Sequence, residues 1–435
     1  MAEEQKIEGR ATLFADVILP LAVQNLYTYR VPFDWNELIK PGQRVVVQFG
    51  KNKLYMALVK RVHQNPPGTY QAKYIQDILD AKPIVNDMQL GFWDWIAAYY
   101  LCTPGEVMNA ALPAGLRFSS ETRILRNKDF ALDEVQQDFF TEKEWKLVIA
   151  LEAKQEMSVE EAAQAVEIKN VQPVVQALLA KGFAILKEEV KENYKPRTEV
   201  FVKISPALSE DDLRKAMDEL EKKAFKQLHL LMAYMQLANW HTRNPHEVKK
   251  SKLLLHADST SSVFDQLVKK GIMEAYTKEV SRLPLSDKAV EAANALADFQ
   301  QLAFDSIEKQ FKEKDVILLH GVTSSGKTEI YMQLIEQMIT QGKQVLYLLP
   351  EIALTSQLVQ RLKKRWGNKV GVYHSKYSDN ERVEVWNTLV EPKDRNYSVI
   401  VGTRSSLFLP FDKLGLIIVD EEHDSSYKQQ DPGPR

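Results

Sequence analysis

"DVILLHGVTSSGKTEIYMQL", residues 315–334, joins an apolar run to a helical run through a turn bounded by glycines. The turn, "GVTSSGKT" (321–328), fits G-x-x-x-x-G-K-[ST] and sits between a strand-like and a helix-like segment, the context a phosphate-binding loop requires. Gly321 and Gly326 let the backbone wrap tightly enough to turn its N–H groups inward, and the helix start adds partial positive charge. Lys327 is placed to reach the β- and γ-phosphates of a nucleotide, and Thr328 to offer its hydroxyl to Mg²⁺.

Downstream of that loop, "KQVLYLLP", "KVGVYHS", "YSVIVGT" and "LGLIIVDE" are short runs apolar on both faces. Segments of helical spacing separate them: "KTEIYMQLIEQMITQG", "TSQLVQRLKKRWG" and "SDNERVEVWNTLV". Together with "DVILLHG" they predict a parallel sheet covered by helices. The last run ends in Asp420, Glu421, Glu422 and His423. Consecutive acids alone are a weak signal, because an exposed strand end also carries them. At the end of a buried strand downstream of a phosphate loop, Asp420 is expected on the magnesium side and Glu421 on the attacking water. Glu422 and His423 then fall where nucleotide and a second ligand would be coupled.

The front of the chain is different. Residues 12–82 read as β-rich, with "ADVILPL", "LYTYRVP", "GQRVVVQFG", "LYMALVKRV" and "KYIQDILD" separated by Pro, Gly and Asn turns, which predicts a small barrel or sandwich. Helical stretches follow at 88–102 and 103–117, and Pro104 and Pro113 place a boundary near 118. Residues 138–284 contain a repeat. "TEKEWKLVIALEA" (141–153) resembles "EKKAFKQLHLLMAY" (221–234), and "VVQALLAKGFAILKEEV" (174–190) resembles "VFDQLVKKGIMEAYTKEV" (263–280). Gly182 and Gly271 each end a helix before an extended segment. Helices followed by a strand pair are the winged-helix pattern, a helix-turn-helix variant. Connectors without DNA contact satisfy the same pattern.

Composition narrows the class. A net charge of −2 does not point to nucleic acid by itself, but the local basic runs "RLKKRWGNK" (361–369) and "RNPHEVKKSK" (243–252) leave that open. The single cysteine, Cys102, excludes internal disulfides and a multi-thiolate zinc site and reads as a small buried residue. No apolar run approaches the roughly 20 residues of a membrane helix. "MAEEQKIEGR" lacks the apolar core of a signal peptide, so a cytoplasmic address is expected and no membrane partner.

Five blocks, "LLHGVTSSGKTEIY", "LLPEIALTSQ", "VYHSKYSDNERVEVW", "VIVGTRSSLFLPF" and "VDEEHDSSYKQQDPGPR", resemble the superfamily 2 DNA helicases, and within them the primosomal replication-restart helicases. That resemblance implies ATP and Mg²⁺ as cofactors and places Gln300 at the position reading adenine. It also gives Thr403, Arg404 and Ser405 of "VGTRSSLF" to single-stranded DNA, with "PEIALT" (350–355) in a similar part. "LPLAVQNLYTYRVP", "GQRVVVQFGKNK" and "AKYIQDILD" resemble the same family's domain that captures a 3′ strand end. Tyr27, Thr28, Tyr29, Gly50 and Lys73 match that pocket. Thr28 departs from the family's Asp, which weakens the expected bond to a 3′-hydroxyl. A plain half-buried strand also accounts for Tyr27 and Tyr29.

The expected organisation is therefore multidomain. A barrel-like DNA 3′-end-binding domain spans 1–118, winged helices 119–206 and 207–286, and a partial RecA-like P-loop lobe with a parallel sheet 287–435. The resemblance implies 3′-to-5′ unwinding in fork restart and primosome assembly, on branched and single-stranded DNA. By the same resemblance a single-strand DNA-binding protein and helicase-loading primosome proteins are partners, and the state is monomeric. The family's second lobe, arginine finger and zinc module have no counterpart in these 435 residues, so they read as the N-terminal part of a longer protein, weak in ATP hydrolysis by itself. A non-catalytic fork-binding module and an unrelated P-loop ATPase are the alternatives.

Overall fold

The computed structural model describes residues 12–50, 53–128, 130, 139–191, 193–240, 242, 245–283, 295–322, 325–350, 356–392 and 395–428. The chain divides into two units, Met1–Tyr194 with Leu285–Arg435, and Lys195–Pro284.

In the first unit the alternation of the N-terminal runs becomes β1 (Phe14–Ile18), β2 (Tyr27–Arg30), β3 (Arg44–Phe49), β4 (Lys53–His63) and β5 (Asp77–Ile78). They form one antiparallel sheet in the order β2-β1-β4-β3-β5. The segment leading into β5 also touches the far edge. Arg30 N–H donates to Lys73 O at 2.8 Å, and Ile75 N–H to Arg30 O at 3.0 Å. One short segment thus meets both edge strands, which makes the sheet the small barrel expected. Ala15, Val17, Tyr29, Val31, Val45, Val47, Ala57, Val59 and Ile75 fill its core.

Arg44 and Asp80 are buried together at the barrel wall, with side chains 6% and 7% exposed and Nη2 to Oδ1 at 2.6 Å. A second guanidinium nitrogen, Nη1, donates to Leu116 O at 2.8 Å. Next come α1 (Asp87–Tyr100) and α2 (Pro104–Ala111), opened by the capping boxes Asn86/Gln89 and Thr103/Glu106. Pro104 starts α2 rather than breaking it, because the first helical position has no N–H to lose. Cys102 is half-buried, not buried as expected. Helix α1 has already ended and Leu101 is left-handed at φ 53°, so residue 102 falls in the turn between helices.

Strand β6 (Ser119–Arg126), α3 (Glu142–Lys154), β7 (Glu156–Ser158), α4 (Val159–Val166), α5 (Gln172–Ala180) and β8 (Ala184–Lys191) complete a winged helix with sheet order β7-β6-β8. The second unit repeats the scheme with one helix more: β9 (Thr198–Ile204), α6 (Glu210–Lys223), α7 (Phe225–Ala238), β10 (Val248–Lys249), α8 (Lys250–His256), α9 (Ser261–Lys269) and β11 (Met273–Glu279), in sheet order β10-β9-β11. Gly182 and Gly271 take φ of 74° and 70° where α5 and α9 end, as the repeat predicted. The expected boundary at 206/207 is corrected. Strand β9 pairs with β11 along its length, Thr198 opposite Glu279 through Ile204 opposite Met273, so it opens the second winged helix instead of closing the first.

The remainder of the first unit holds α10 (Asp298–Gln310), α11 (Lys327–Thr340), β12 (Gln344–Leu348), α12 (Ser356–Trp366), β13 (Val370–Tyr373), α13 (Asp379–Val390), β14 (Val399–Gly402) and β15 (Leu414–Val419). The strands are parallel in the order β13-β14-β12-β15. "DVILLH" is not among them. Among the described residues 315–320 pair with no strand, so Val316 and Leu318 stay 85% and 73% exposed while Ile317 and Leu319 pack inward. Apolar composition sets a preference for burial, but a strand needs a partner edge as well.

This lobe docks on the N-terminal domain. Buried Trp386 of α13 donates Nε1–H to Ile84 O at 2.9 Å. At the start of α1, Asn86 Nδ2 donates to Phe411 O at 2.8 Å and Gln89 Nε2 to Phe408 O at 2.6 Å.

Candidate nucleotide site and DNA-contacting surfaces

Helix α11 begins where the sequence places it. Gly326 caps it at φ 82°, a left-handed conformation natural to glycine, and a Cβ there would stand 2.2 Å from Gln300 Nε2. Lys327 closes back over the loop, its Nζ donating to Gly321 O at 2.6 Å and Val322 O at 3.3 Å. Thr328 follows, half-exposed in the first turn. Thr323 and Ser324 at the crest lie outside the described residues.

Gln300 is buried in the first turn of α10. Its Oε1 accepts the Ala297 N–H at 2.9 Å and its amide nitrogen lies 3.4 Å from Gly326 O. The residue assigned to adenine is thus tied to the phosphate loop itself.

Asp420 closes β15, and its N–H donates to Leu348 O of β12 at 3.1 Å. Two phenols hold it. Tyr347 OH donates to Oδ2 at 3.0 Å, and Tyr427 OH donates to the main-chain oxygen at 2.7 Å. Tyr331, one turn along α11 from Lys327, has its pKa raised to about 12 by burial and then by the charges of Asp420 and Glu421. Tyr331 packs edge-on against Tyr347 at 5.8 Å between centroids, so the lysine-bearing helix and the acid-bearing strand end adjoin. They meet as a helix packed on a strand, not across two strands of one sheet, because the run before the loop is unpaired. Glu421 sits at φ 49°, and Glu421, Glu422 and His423 are exposed, His423 Nε2 lying 3.9 Å from Glu421 Oε2.

These residues fit a nucleotide-borne magnesium ion. Tyr347 engages Asp420 Oδ2, and among the described residues no hydrogen-bond partner stands on Oδ1, where a cation could sit. Tyr347 is fully buried, and a partner that orients a metal-side carboxylate commonly accounts for 10–100-fold in affinity, roughly. Tyr347→Phe is expected to weaken Mg²⁺-dependent binding of a fluorescent ATP analogue about tenfold. An unchanged titration with magnesium, against an EDTA baseline, removes that role.

In the expected single-strand element, Thr403 is 5% exposed. Its carbonyl accepts from Ser406 Oγ at 2.5 Å and its hydroxyl lies 3.4 Å from Ser405 Oγ. It builds the turn, while Arg404 and Ser405 are half-exposed and able to meet a backbone phosphate. A side chain at Gly402 would run into Ser406 Oγ at 2.5 Å and Tyr373 O at 2.6 Å. Residues 351–355 of "PEIALT" lie outside the described residues.

The 3′-end candidates separate by depth in the barrel. Tyr29 is a core residue, its hydroxyl spent on Gln48 O at 3.0 Å, and it offers no face to a base. Tyr27 lies at the rim, with Phe49 edge-on at 4.7 Å and Tyr70 at 6.5 Å between centroids. Lys73 Nζ donates to Gly50 O at 3.0 Å, and Gly50 takes φ 74°. The Thr28 hydroxyl donates to Asp16 Oδ1 at 2.6 Å, and its N–H donates to the Tyr70 oxygen at 2.7 Å. Tyr27, Thr28, Gly50 and Lys73 are brought together. Tyr70, Phe49 and Asp16 join them unforeseen, although an aromatic in the Pro-Gly loop "NPPGTYQ" and an acid inside a strand were visible signals.

Known families match in the same order. A 3′ DNA-binding domain (3′BD) of PriA matches residues 16–113 and a winged helix domain residues 121–189. A winged helix domain of Bacteroidota PriA helicase matches 199–280, and the DEAD/DEAH box helicases match 297–433. The replication restart protein PriA of Bacillus subtilis is 31% identical over 432 residues, 96% of this chain and 50% of that protein. The Haemophilus influenzae protein of the same name is 30% identical over 424 residues, 95% of this chain and 45% of its own. That of Helicobacter pylori J99 reaches 47% over 144 residues, 33% of this chain. The chain spans about half the length of the curated relatives it matches over nearly its whole extent. Barrel, paired winged helices and P-loop lobe, in this order and with these matches, make the chain a member of the PriA replication-restart family.

Proposed function

We propose that these 435 residues supply fork recognition and the first half of the ATP site to a replication-restart helicase. The barrel takes the 3′ end of a nascent strand with Tyr27, Thr28, Gly50 and Lys73, and Arg404 with Ser405 holds single-stranded backbone. Lys327, Thr328, Asp420 and Glu421 take Mg²⁺·ATP, with Gln300 beside the base and Glu422 and His423 relaying the nucleotide state. The observation that carries this reading is the packing of Tyr331 of α11 edge-on against Tyr347, 5.8 Å between ring centroids, whose hydroxyl donates to Asp420 at 3.0 Å. Docking of α1 against the carbonyls of Phe408 and Phe411 adds a direct link between the end-binding domain and the strand-holding turn.

In the intact protein this assembly drives 3′-to-5′ unwinding at branched DNA and works with single-strand-binding and helicase-loading proteins. The 435-residue chain alone binds but turns ATP over slowly, because a catalytic arginine supplied from elsewhere contributes roughly 10³-fold or more in such sites. The test is a titration of the chain with fork DNA and, separately, with Mg²⁺ and a fluorescent ATP analogue. Both are expected to bind, with turnover near background. Binding of nucleotide without any binding of fork DNA overturns the fork-recognition reading, and rapid DNA-stimulated turnover removes the need for an arginine from elsewhere.

A further inference from the structure

Asp16 is 4% exposed and points away from the barrel core that its neighbours Ala15 and Val17 enter. Three side chains reach its carboxylate. The Thr28 hydroxyl donates to Oδ1 at 2.6 Å, Arg61 Nε donates to Oδ2 at 2.5 Å, and His63 Nε2 lies 3.1 Å from Oδ1. Thr28 stands directly opposite Asp16 in the β1–β2 register and Arg61 opposite it in β4, so the ladder itself builds the cluster. Burial works against the charge of Asp16, yet the bonds from Thr28, Arg61 and His63 hold its carboxyl below the usual carboxylate range.

An ionised carboxylate only accepts hydrogen bonds, so the proton in the Thr28–Asp16 contact is the threonine's. A hydroxyl that has committed its one proton presents only lone pairs to anything else. Thr28 is half-exposed above the buried acid, and the Tyr70 phenol holds its N–H beside the Tyr27 ring. Its outward chemistry is that of an acceptor polarised by a negative charge behind it.

We propose that Asp16 is a positioning residue that fixes Thr28 as an acceptor for the free 3′-hydroxyl of a DNA strand. The outward acceptor that suits a hydroxyl donor and not an acceptor-only 3′-phosphate is then set from β1, one strand behind the residue that touches the end. This rests on the reading of the barrel as an end-binding domain, which the experiment tests separately.

The whole chain is titrated with labelled strands ending in 3′-hydroxyl, 2′,3′-dideoxy and 3′-phosphate. The unaltered chain is expected to bind the hydroxyl end about tenfold tighter than the dideoxy end, as for one hydrogen bond with charge behind it. Asp16→Asn brings that ratio below about twofold while dideoxy binding stays unchanged, because a neutral amide no longer holds the threonine proton in one direction with a charge-assisted bond. Thr28→Val abolishes the ratio and Thr28→Ser retains it. A general loss of folded protein lowers binding to both ends alike and leaves the ratio unmoved, so the ratio isolates the positioning role. A full preference in Asp16→Asn or in Thr28→Val overturns the proposal while end recognition stands. Should Asp16→Asn not fold, Asp16→Ser, smaller and equally neutral, is read for the same loss of the ratio, and a retained preference there overturns the proposal. A ratio near one in the unaltered chain overturns the end-binding reading itself.

Discussion

Asp80→Ala is expected to lower the unfolding free energy of the N-terminal domain by about 3–5 kcal/mol, the cost of leaving a buried cation without its partner. Arg44 is nearly inaccessible, spends Nε and Nη2 on Asp80, and has Nη1 on Leu116 O. Removing the carboxylate strands the guanidinium in a wall it cannot leave without opening the contact between β3 and the 114–116 turn. Urea titration followed by tryptophan fluorescence measures the change, since Trp93 is buried in the same domain. The paired replacement Arg44→Met with Asp80→Leu should recover most of the loss, because an apolar pair needs no compensation there. A loss under about 1 kcal/mol in the single variant, in the range of surface pairs, shows that the pair is effectively solvated.

The second large effect is at the nucleotide site. Lys327→Ala is expected to weaken Mg²⁺·ATP binding about 100-fold, with fork-DNA affinity within about twofold of the unaltered chain. The ammonium is bonded to the Gly321 and Val322 carbonyls, and in the proposed function it would exchange those neutral acceptors for phosphate oxygens. Charge-assisted bonds of this kind contribute roughly 1.5–3 kcal/mol each, so losing one or two gives the stated factor. Equal weakening of ADP and AMP binding would contradict a contact to the terminal phosphates. Lys327→Arg separates charge from shape: the planar guanidinium is unsuited to the tight wrap around Gly321, so it should rescue little.

Local signals were legible in the sequence, and pairings between distant residues were not. Alternation and turn residues marked the barrel strands, and the Gly-Gly-Lys spacing marked the start of α11. The two-residue period also held the information that Tyr27 and Tyr29 face one way and Thr28 the other, which separates Thr28 from the stacking candidates. What failed depends on partners far along the chain. The run 315–320 has strand composition, but only a neighbouring edge decides whether it becomes one. Strand β9 looks like the end of the first winged helix until its pairing with β11 is seen. Asp16 and Tyr347 were read as members of apolar runs, because the groups that give them meaning, Thr28 and Arg61 for one and Asp420 for the other, come from other strands.

Asn86 has two duties. Its side-chain oxygen accepts the Gln89 N–H that starts α1, and its side-chain nitrogen donates to Phe411 O on the lobe. A swivel of the barrel against the lobe would therefore tug on the first turn of the helix, and a helix cap alone contributes about 1 kcal/mol. The two bodies are latched by the same residue that shapes one of them. Parting the seam would thus take the cap of α1 together with the bond to Phe411, coupling the two losses.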